Sequence, residues 1–463
     1  MNIVFSHGYF LEEDEKEKTI MRPYPPLGIL YLSAWLKQNG FPCQVWDSTF
    51  LRKTDWNQRL RSEKPDVLAL YVNLMTRRNI LDMVEMVRSN PETAHTLIAL
   101  GGPEVTHHQD QLLAAGADVL ILGEGEQTML EWVQALKDGQ TKPKNWFQIP
   151  GLAFLGPDSK RITNPEREKI KDLKVLPFPD REAIDLQLYL DAWKQKHGTN
   201  AISISTMRGC PYTCKWCSRA VYGLSYRRRS PELVVAEMKW IRQRYNPDSL
   251  WFVDDVFTIS HKWLEAFVAE LKKESFTIPF ECITRADRMN EQVVELLRQS
   301  GCFRVWIGAE SGSQAVIDAM DRRVQVQQVR DMIVLAKANG IQAGTFIMLG
   351  YPGETQADIK ETIRHLQVSQ PDYYTITLAY PIKGTELYAE VEDQLLNHPD
   401  WRTSSDRDLD FKRTFSKAYY RRALSWVNNE VAWHRHRATP VNALKYKAKS
   451  LAAQVLMAWE RIR

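Results

Sequence analysis

Arg208-Gly209-Cys210-Pro211-Tyr212-Thr213-Cys214-Lys215-Trp216-Cys217 sets three cysteines in Cys-x3-Cys-x2-Cys spacing, with an aromatic residue directly before the last. An apolar, strand-like run from Ala201 to Thr206 leads into it. Thiolates this close in sequence converge on a soft metal centre, either zinc or an iron-sulfur cluster. A cubane cluster is normally held by four thiolates, so three local ligands leave one iron open for a substrate. A structural zinc site needs a fourth ligand, and the nearest downstream histidine, His261, lies far outside zinc-finger spacing. The open iron is the better reading and zinc the weaker one.

With Trp216 in the aromatic position, Cys210, Cys214 and Cys217 resemble the signature of the radical S-adenosylmethionine (SAM) enzymes. That resemblance implies a 4Fe-4S cluster on these three cysteines, with SAM chelated to the open iron and cleaved to a 5'-deoxyadenosyl radical. It also implies an electron donor: a reductase, flavodoxin or ferredoxin.

The remaining cysteines fit this reading. Six in 463 residues are too few for a disulfide framework, which points to a reducing, cytosolic compartment. Met1 to Phe10 lack the basic flank and apolar core of a signal peptide, and no run approaches about 18 apolar residues. A cytoplasmic chain of two or three domains is expected.

Upstream of the cysteines, residues 1–139 alternate apolar runs with amphipathic segments. The runs are at Ile3–Phe5, Gln44–Trp46, Val67–Val72, Thr96–Leu100 and Asp118–Leu122, and a helix from Leu27 should stop at Gly40. Such alternation predicts a doubly wound parallel sheet covered on both faces. Ligands bind beyond the carboxyl ends of its strands, which here carry Ser6-His7-Gly8, Gly101-Gly102-Pro103-Glu104 and Gly123-Glu124-Gly125-Glu126. Glycines there admit a bulky ligand or simply make tight turns. Together with Pro25-Pro26-Leu27-Gly28 and a following radical SAM signature, they resemble the cobalamin-binding domain of B12-dependent radical SAM proteins. This resemblance implies bound cobalamin at Gly101, Gly102, Gly123 and Glu124. Asp-x-His-x-x-Gly, which gives cobalt a histidine in many B12 proteins, is absent; His7, His107 and His108 are not in that arrangement. Asn73-Leu74-Met75-Thr76-Arg77 would then lie nearest the lower face of the corrin.

Residues 140–197 read as a linker with a small hairpin near Ile149–Asp158. Residues 198–390 repeat the strand-helix alternation, with six strands counting Ala201, and predict a partial (β/α)6 barrel with its functional groups at the strand ends. In the resembled family those ends hold SAM, which implies Glu310 and Ser311 on its ribose or methionine part, Arg285 on its carboxylate and Gly350 near its adenine. The alternative is an Arg-Glu ion pair that only closes the barrel mouth. Cys43, Cys282 and Cys302 sit in apolar runs as ordinary core residues.

The helical carboxyl-terminal region, 391–463, differs in charge. From Phe411 on it carries twelve Lys or Arg against Glu430 and Glu460, a net of +10 in a chain of +4. A solvated helical cap and a basic surface that rests peripherally on an anionic membrane are both open.

The expected function is a radical SAM, cobalamin-dependent transfer of a methyl group to an unactivated carbon of a small-molecule or lipid-like substrate. Ring-forming oxidation of a tetrapyrrole, as in the anaerobic magnesium-porphyrin cyclases the chain also resembles, is the close variant. A non-catalytic zinc or nucleic-acid-binding protein is the contrasting class. It is disfavoured because no basic patch interleaved with aromatics lies near the cysteines.

Overall fold

The apolar runs of the amino-terminal third form strands where the pattern places them. In the computed structural model, described over residues 1–461, these are β1 (Ile3–His7), β2 (Cys43–Trp46), β3 (Val67–Tyr71), β4 (Leu97–Gly101) and β5 (Val119–Ile121). All pair in parallel, in the order β2-β1-β3-β4-β5. Side chains alternate between two buried faces. Ile3, Phe5, Val67, Ala69 and Ala99 pack on one side with Leu30 and Trp132, while Val4, Leu68, Leu70 and Ile98 pack on the other with Trp56 and Met83. Two buried faces explain why the strands read as nearly continuous apolar runs.

The helix predicted from Leu27 spans Leu27–Gln38 and ends as expected. Gly40, at φ +80°, donates its N–H to the Lys37 carbonyl, and Phe41 donates to that of Leu36. This is a Schellman stop, with Leu36 and Phe41 buried in the same core cluster.

The hairpin expected in the linker forms as β6 (Leu152–Leu155) and β7 (Arg161–Thr163), but it does more than connect domains. β6 pairs antiparallel with β5, so the sheet grows to seven strands. The open backbone edge of β5 and the buried Leu152, Ala153 and Phe154 account for the recruitment.

The chain divides into two compact units. The first contains Met1–Pro211, Ser218–Ser249 and Asp400–Ser405; the second contains Tyr212–Cys217, Leu250–Pro399 and the residues from Asp406 on. Cys210 therefore belongs to the first, and Cys214 and Cys217 to the second. In the first unit, β8 (Ala201–Ile204) precedes β9 (Met207–Arg208), which pairs antiparallel with β10 (Arg227–Arg228).

In the second unit, β11 (Ser249–Phe252, within this unit from Leu250 on), β12 (Phe280–Thr284), β13 (Cys302–Glu310), β14 (Gln342–Leu349) and β15 (Tyr373–Leu378) are consecutive parallel neighbours joined by helical crossovers. This is the second parallel sheet expected of the partial barrel. Cys282 and Cys302 are buried in it, while Cys43, on β2, is half-buried and bonded to Ser33. Helices Lys417–Arg435 and Pro440–Glu460 follow, with Pro440 in the first turn of the second. Arg463, counted in the basic tail, lies outside the described residues.

Candidate functional site

In the first unit, β1 is flanked by β2 on one side and β3 on the other, so the chain reverses its winding direction at β1/β3. Open α/β sheets bind ligands at such a switch point. A cavity of about 230 Å³ lies there, and Gly101, Gly102, Gly123 and Glu124 all line it, with Phe5, Ile29 and Met129 among its apolar walls. Small-molecule sites run from about 300 Å³ upward, so the cavity has room for part of a large cofactor. Gly102 lies at φ +115°, where a Cβ would overlap the Val72 carbonyl oxygen and stand 2.9 Å from Tyr71 Cε2. Only glycine fits.

The polar wall is a charge network. Arg208 Nη1 donates to Glu124 Oε1 at 2.9 Å and its Nη2 to Glu126 Oε1 at 2.5 Å, while Arg227 Nη1 donates to Glu124 Oε2 at 2.6 Å. The Ile170 N–H adds a further bond to Glu124 at 2.9 Å. Burial alone would raise the Glu124 carboxyl, but the Arg227 and Arg208 guanidiniums outweigh it and hold it below the usual carboxylate range. The rings of Tyr31 and Tyr222 lie 5.4 Å from the Arg208 guanidinium. Sequence reading found Glu124 but not Arg208, Glu126 or Arg227. The available signal was Arg208 two residues before Cys210.

His7 is buried at the end of β1 with both ring nitrogens engaged. Nε2 stands 2.9 Å from Asp47 Oδ1, and Nδ1 stands 3.1 Å from Ser48 Oγ and accepts from the Tyr9 N–H. His108 is buried with its Nε2 3.2 Å from Arg77 Nη1. In the loop after β3, Asn73 Oδ1 accepts from the N–H groups of Met75 and Thr76, leaving Met75 exposed.

In the second unit, Cys214 is buried and two guanidiniums converge on its sulfur: Arg285 Nη1 at 3.5 Å and Arg322 Nη1 at 3.7 Å. Hydrogen bonds from cations to sulfur suit a metal-bound thiolate. Arg285 also donates to Asp287 at 2.8 Å and to the Arg322 carbonyl at 2.6 Å, and it stacks 3.8 Å from the Tyr212 ring centroid. Cys217 is exposed and Cys210 half-buried. Among the described residues no three His, Cys, Asp or Glu side chains stand together as a metal-binding group, so the metal reading rests on cysteine spacing and the Cys214 environment.

Arg322 also bonds the Gly308 carbonyl at 3.0 Å and approaches Glu310 Oε1 at 3.9 Å. A Cβ on Gly308 would stand 2.5 Å from Arg322 Nη2 and 2.7 Å from Glu310 Oε1, so glycine permits the approach. The β13/β14 register shifts between Gly308 and Glu310, and Glu310 takes φ +65°. A bulge of this kind re-aims a side chain, and the left-handed backbone costs about 1–3 kcal/mol. Burial pushes the Glu310 carboxyl up against the opposing pull of Arg322 and Arg285. Ser311 Oγ is turned to Thr362 Oγ1 at 3.2 Å and accepts from the Ser313 N–H.

Gly350, just past β14, is held from two sides. Its N–H donates to Glu354 Oε2 at 2.6 Å, and its carbonyl accepts from Arg413 Nε at 3.1 Å. Burial raises the Glu354 carboxyl to about 8, and the Gly350 N–H only partly opposes this. A folded-state value above the unfolded one means that Glu354 contributes stability at low pH and loses it as pH rises from about 4.5 toward 8. Glu354→Gln keeps the acceptor for Gly350 and removes the titration. Its stability relative to the parent should therefore rise between pH 5 and pH 8, by on the order of a few kcal/mol, in parallel denaturant titrations.

Residues 204–366 match the radical SAM superfamily and residues 19–133 the B12 binding domain. The chain is similar to an uncharacterised methyltransferase of Pyrococcus horikoshii, 26% identical over 388 residues that cover 82% of this chain and 81% of that protein. It is also similar to the anaerobic magnesium-protoporphyrin IX monomethyl ester cyclase of Rubrivivax gelatinosus, 26% identical over 80% of this chain and 67% of that one. The cobalamin-dependent S-adenosylmethionine radical enzyme OxsB, solved with aqua-cobalamin bound, superposes with a TM-score of 0.77 at 16% identity over 98% of this chain and 72% of that one. That last likeness is one of fold. The chain thus carries a B12 binding domain leading into a radical SAM domain, and the cofactors these domains imply are a 4Fe-4S cluster, SAM and cobalamin.

Proposed function

We propose that this enzyme transfers a methyl group from SAM to an unactivated carbon of a small-molecule or lipid-like substrate. The observation that supports the reading is the switch-point cavity of the B12-binding domain, walled by Gly101, Gly102, Gly123 and Glu124. In this reading the cavity takes one part of cobalamin. When bound, the cluster and SAM supply a hydrogen-abstracting radical, and cobalamin supplies a transferable methyl group. A reductase, flavodoxin or ferredoxin in the cytoplasm supplies electrons.

Cys210, Cys214 and Cys217 are assigned to the cluster, and Glu310, Ser311, Arg285 and Gly350 to SAM. Arg285 has five N–H donors and commits three groups to Asp287, Cys214 and the Arg322 carbonyl. It fixes Cys214 beside the SAM residues and keeps its remaining donors for a carboxylate. Glu310 accepts from SAM hydroxyl or amino groups. Its 3.9 Å approach to Arg322 is too long to saturate the carboxylate. Glu310→Gln should weaken SAM binding by about 1–3 kcal/mol with the cluster spectrum intact. Unchanged affinity with a lower melting temperature would make Glu310 a structural partner of Arg322.

The function is tested with anaerobically reconstituted enzyme, cobalamin, reductant and SAM labelled in its methyl group. Methyl transfer to an unactivated carbon consumes two SAM molecules differently, so S-adenosylhomocysteine and 5'-deoxyadenosine should accumulate together and label should enter the product. 5'-Deoxyadenosine without S-adenosylhomocysteine would favour ring-forming oxidation instead.

A further inference from the structure

Helix Pro440–Glu460 is apolar on two opposite faces. Ala443, Ala453 and Met457 are buried on the inner one, and Ser450 there donates to Glu430 of the neighbouring helix Lys417–Arg435, whose carboxylate also lies 2.8 Å from Lys447 Nζ. At 3.6 residues per turn, Val441, Leu444, Leu451, Val455 and Trp459 fall on the opposite side. Their exposures are 82%, 72%, 53%, 69% and 49%. The exposed Ala448 and Ala452 fill the gaps between them. Exposed apolar residues are ordinary when scattered, but a continuous stripe marks a docking surface.

Charge identifies what docks. Residues 431–459 contain five Lys or Arg and no Asp or Glu. Lys445 and Lys449 are exposed along one flank of the stripe, with stems long enough to lie along an apolar boundary while their ammonium groups reach past it. A second copy of this face would bring no carboxylate from residues 431–459 to meet the lysines. A bilayer of anionic lipid offers acyl chains to the stripe and phosphate to the lysines. We infer that the outer face of this helix docks in the interface of an anionic membrane, lying on it. No helix among the described residues is long and apolar enough to cross one. The inference stands independently of the methyl-transfer reading.

The test is flotation of the full-length protein with vesicles of phosphatidylcholine, alone or mixed with phosphatidylglycerol. Binding is expected to the mixed vesicles and to fall with added salt. Two lysines near a charged surface contribute roughly a factor of five each, so Lys445→Ala/Lys449→Ala should bind about 30-fold more weakly. Leu444→Ser/Val455→Ser should lose at least about tenfold with melting temperature unchanged. Equal binding to both vesicle types would remove the electrostatic half of the inference. Undiminished binding by Leu444→Ser/Val455→Ser would overturn it. So would a dimer in sedimentation velocity that this variant dissociates, which would assign the face to a second copy. Absence of vesicle binding would leave the face to a protein partner.

Discussion

Replacing Cys210, Cys214 and Cys217 together by alanine should leave a protein that binds no iron and cleaves no SAM. A thiolate ligand has no substitute in alanine, and three protein ligands are already one short of the usual four, so the loss should be complete. Cys214 carries a second consequence that can be read without any cluster. Its sulfur accepts from Arg285 and Arg322 inside the second unit, and Arg285 is 1% exposed. Cys214→Ala leaves two buried guanidiniums each short of an acceptor, at a cost of about 1–3 kcal/mol. The metal-free Cys214→Ala protein should therefore unfold at lower denaturant, whereas metal-free Cys217→Ala, at an exposed position, should not. Iron analysis and electron paramagnetic resonance check the first expectation, and urea titration of apoprotein checks the second. Stoichiometric zinc in anaerobically isolated protein, with no cluster after reconstitution, would defeat the assignment.

Gly102→Val should abolish cobalamin retention and destabilise the first unit by roughly 2–6 kcal/mol. The left-handed backbone contributes about 1–3 kcal/mol of strain, and the overlap with Val72 and Tyr71 costs a further 1–3 kcal/mol or so. Gly101→Leu separates the cofactor from the fold. A Cβ there meets Ile121 at 3.6 Å, an ordinary contact, and the rest of the side chain enters the cavity. That variant should keep its melting temperature and lose cobalamin in equilibrium dialysis. His7→Ala, His107→Ala and His108→Ala should leave the optical spectrum of bound cobalamin unchanged, since no Asp-x-His-x-x-Gly motif supplies cobalt with a histidine. Full cobalamin retention by Gly101→Leu would show that the cofactor does not use the cavity. A changed spectrum in one of the histidine variants would identify a ligand.

Much of this molecule is written in local pattern. Apolar runs four to six residues long became strands at Val67–Tyr71, Leu97–Gly101 and Gln342–Leu349, the last two with glycine directly after them. Both sheet faces are covered, so no alternation was needed to see them. The Leu27 helix stops at Gly40 because a left-handed residue there satisfies two carbonyls, a decision made within five residues. The cysteine spacing, the absence of a B12-type histidine motif and the placement of Gly101, Gly102, Gly123 and Glu124 at strand ends are equally local.

What the sequence left open concerns partners far apart along the chain. Glu124 reads as a ligand contact, yet its oxygens already serve Arg208 and Arg227, 84 and 103 residues away. Arg285 reads as free to meet a carboxylate, yet most of its fork is turned to Cys214, Asp287 and Arg322. The hairpin reads as part of a linker, yet β5 recruits it to complete a sheet edge. Glu310 owes its direction to a bulge that no periodicity announces. Neighbouring residues alone set strand and helix periods, so the sequence by itself determined the layers and the cofactor class. A buried charge takes whichever counter-charge the folded path brings within reach, so only the tertiary structure decided which site residues remain available to a ligand.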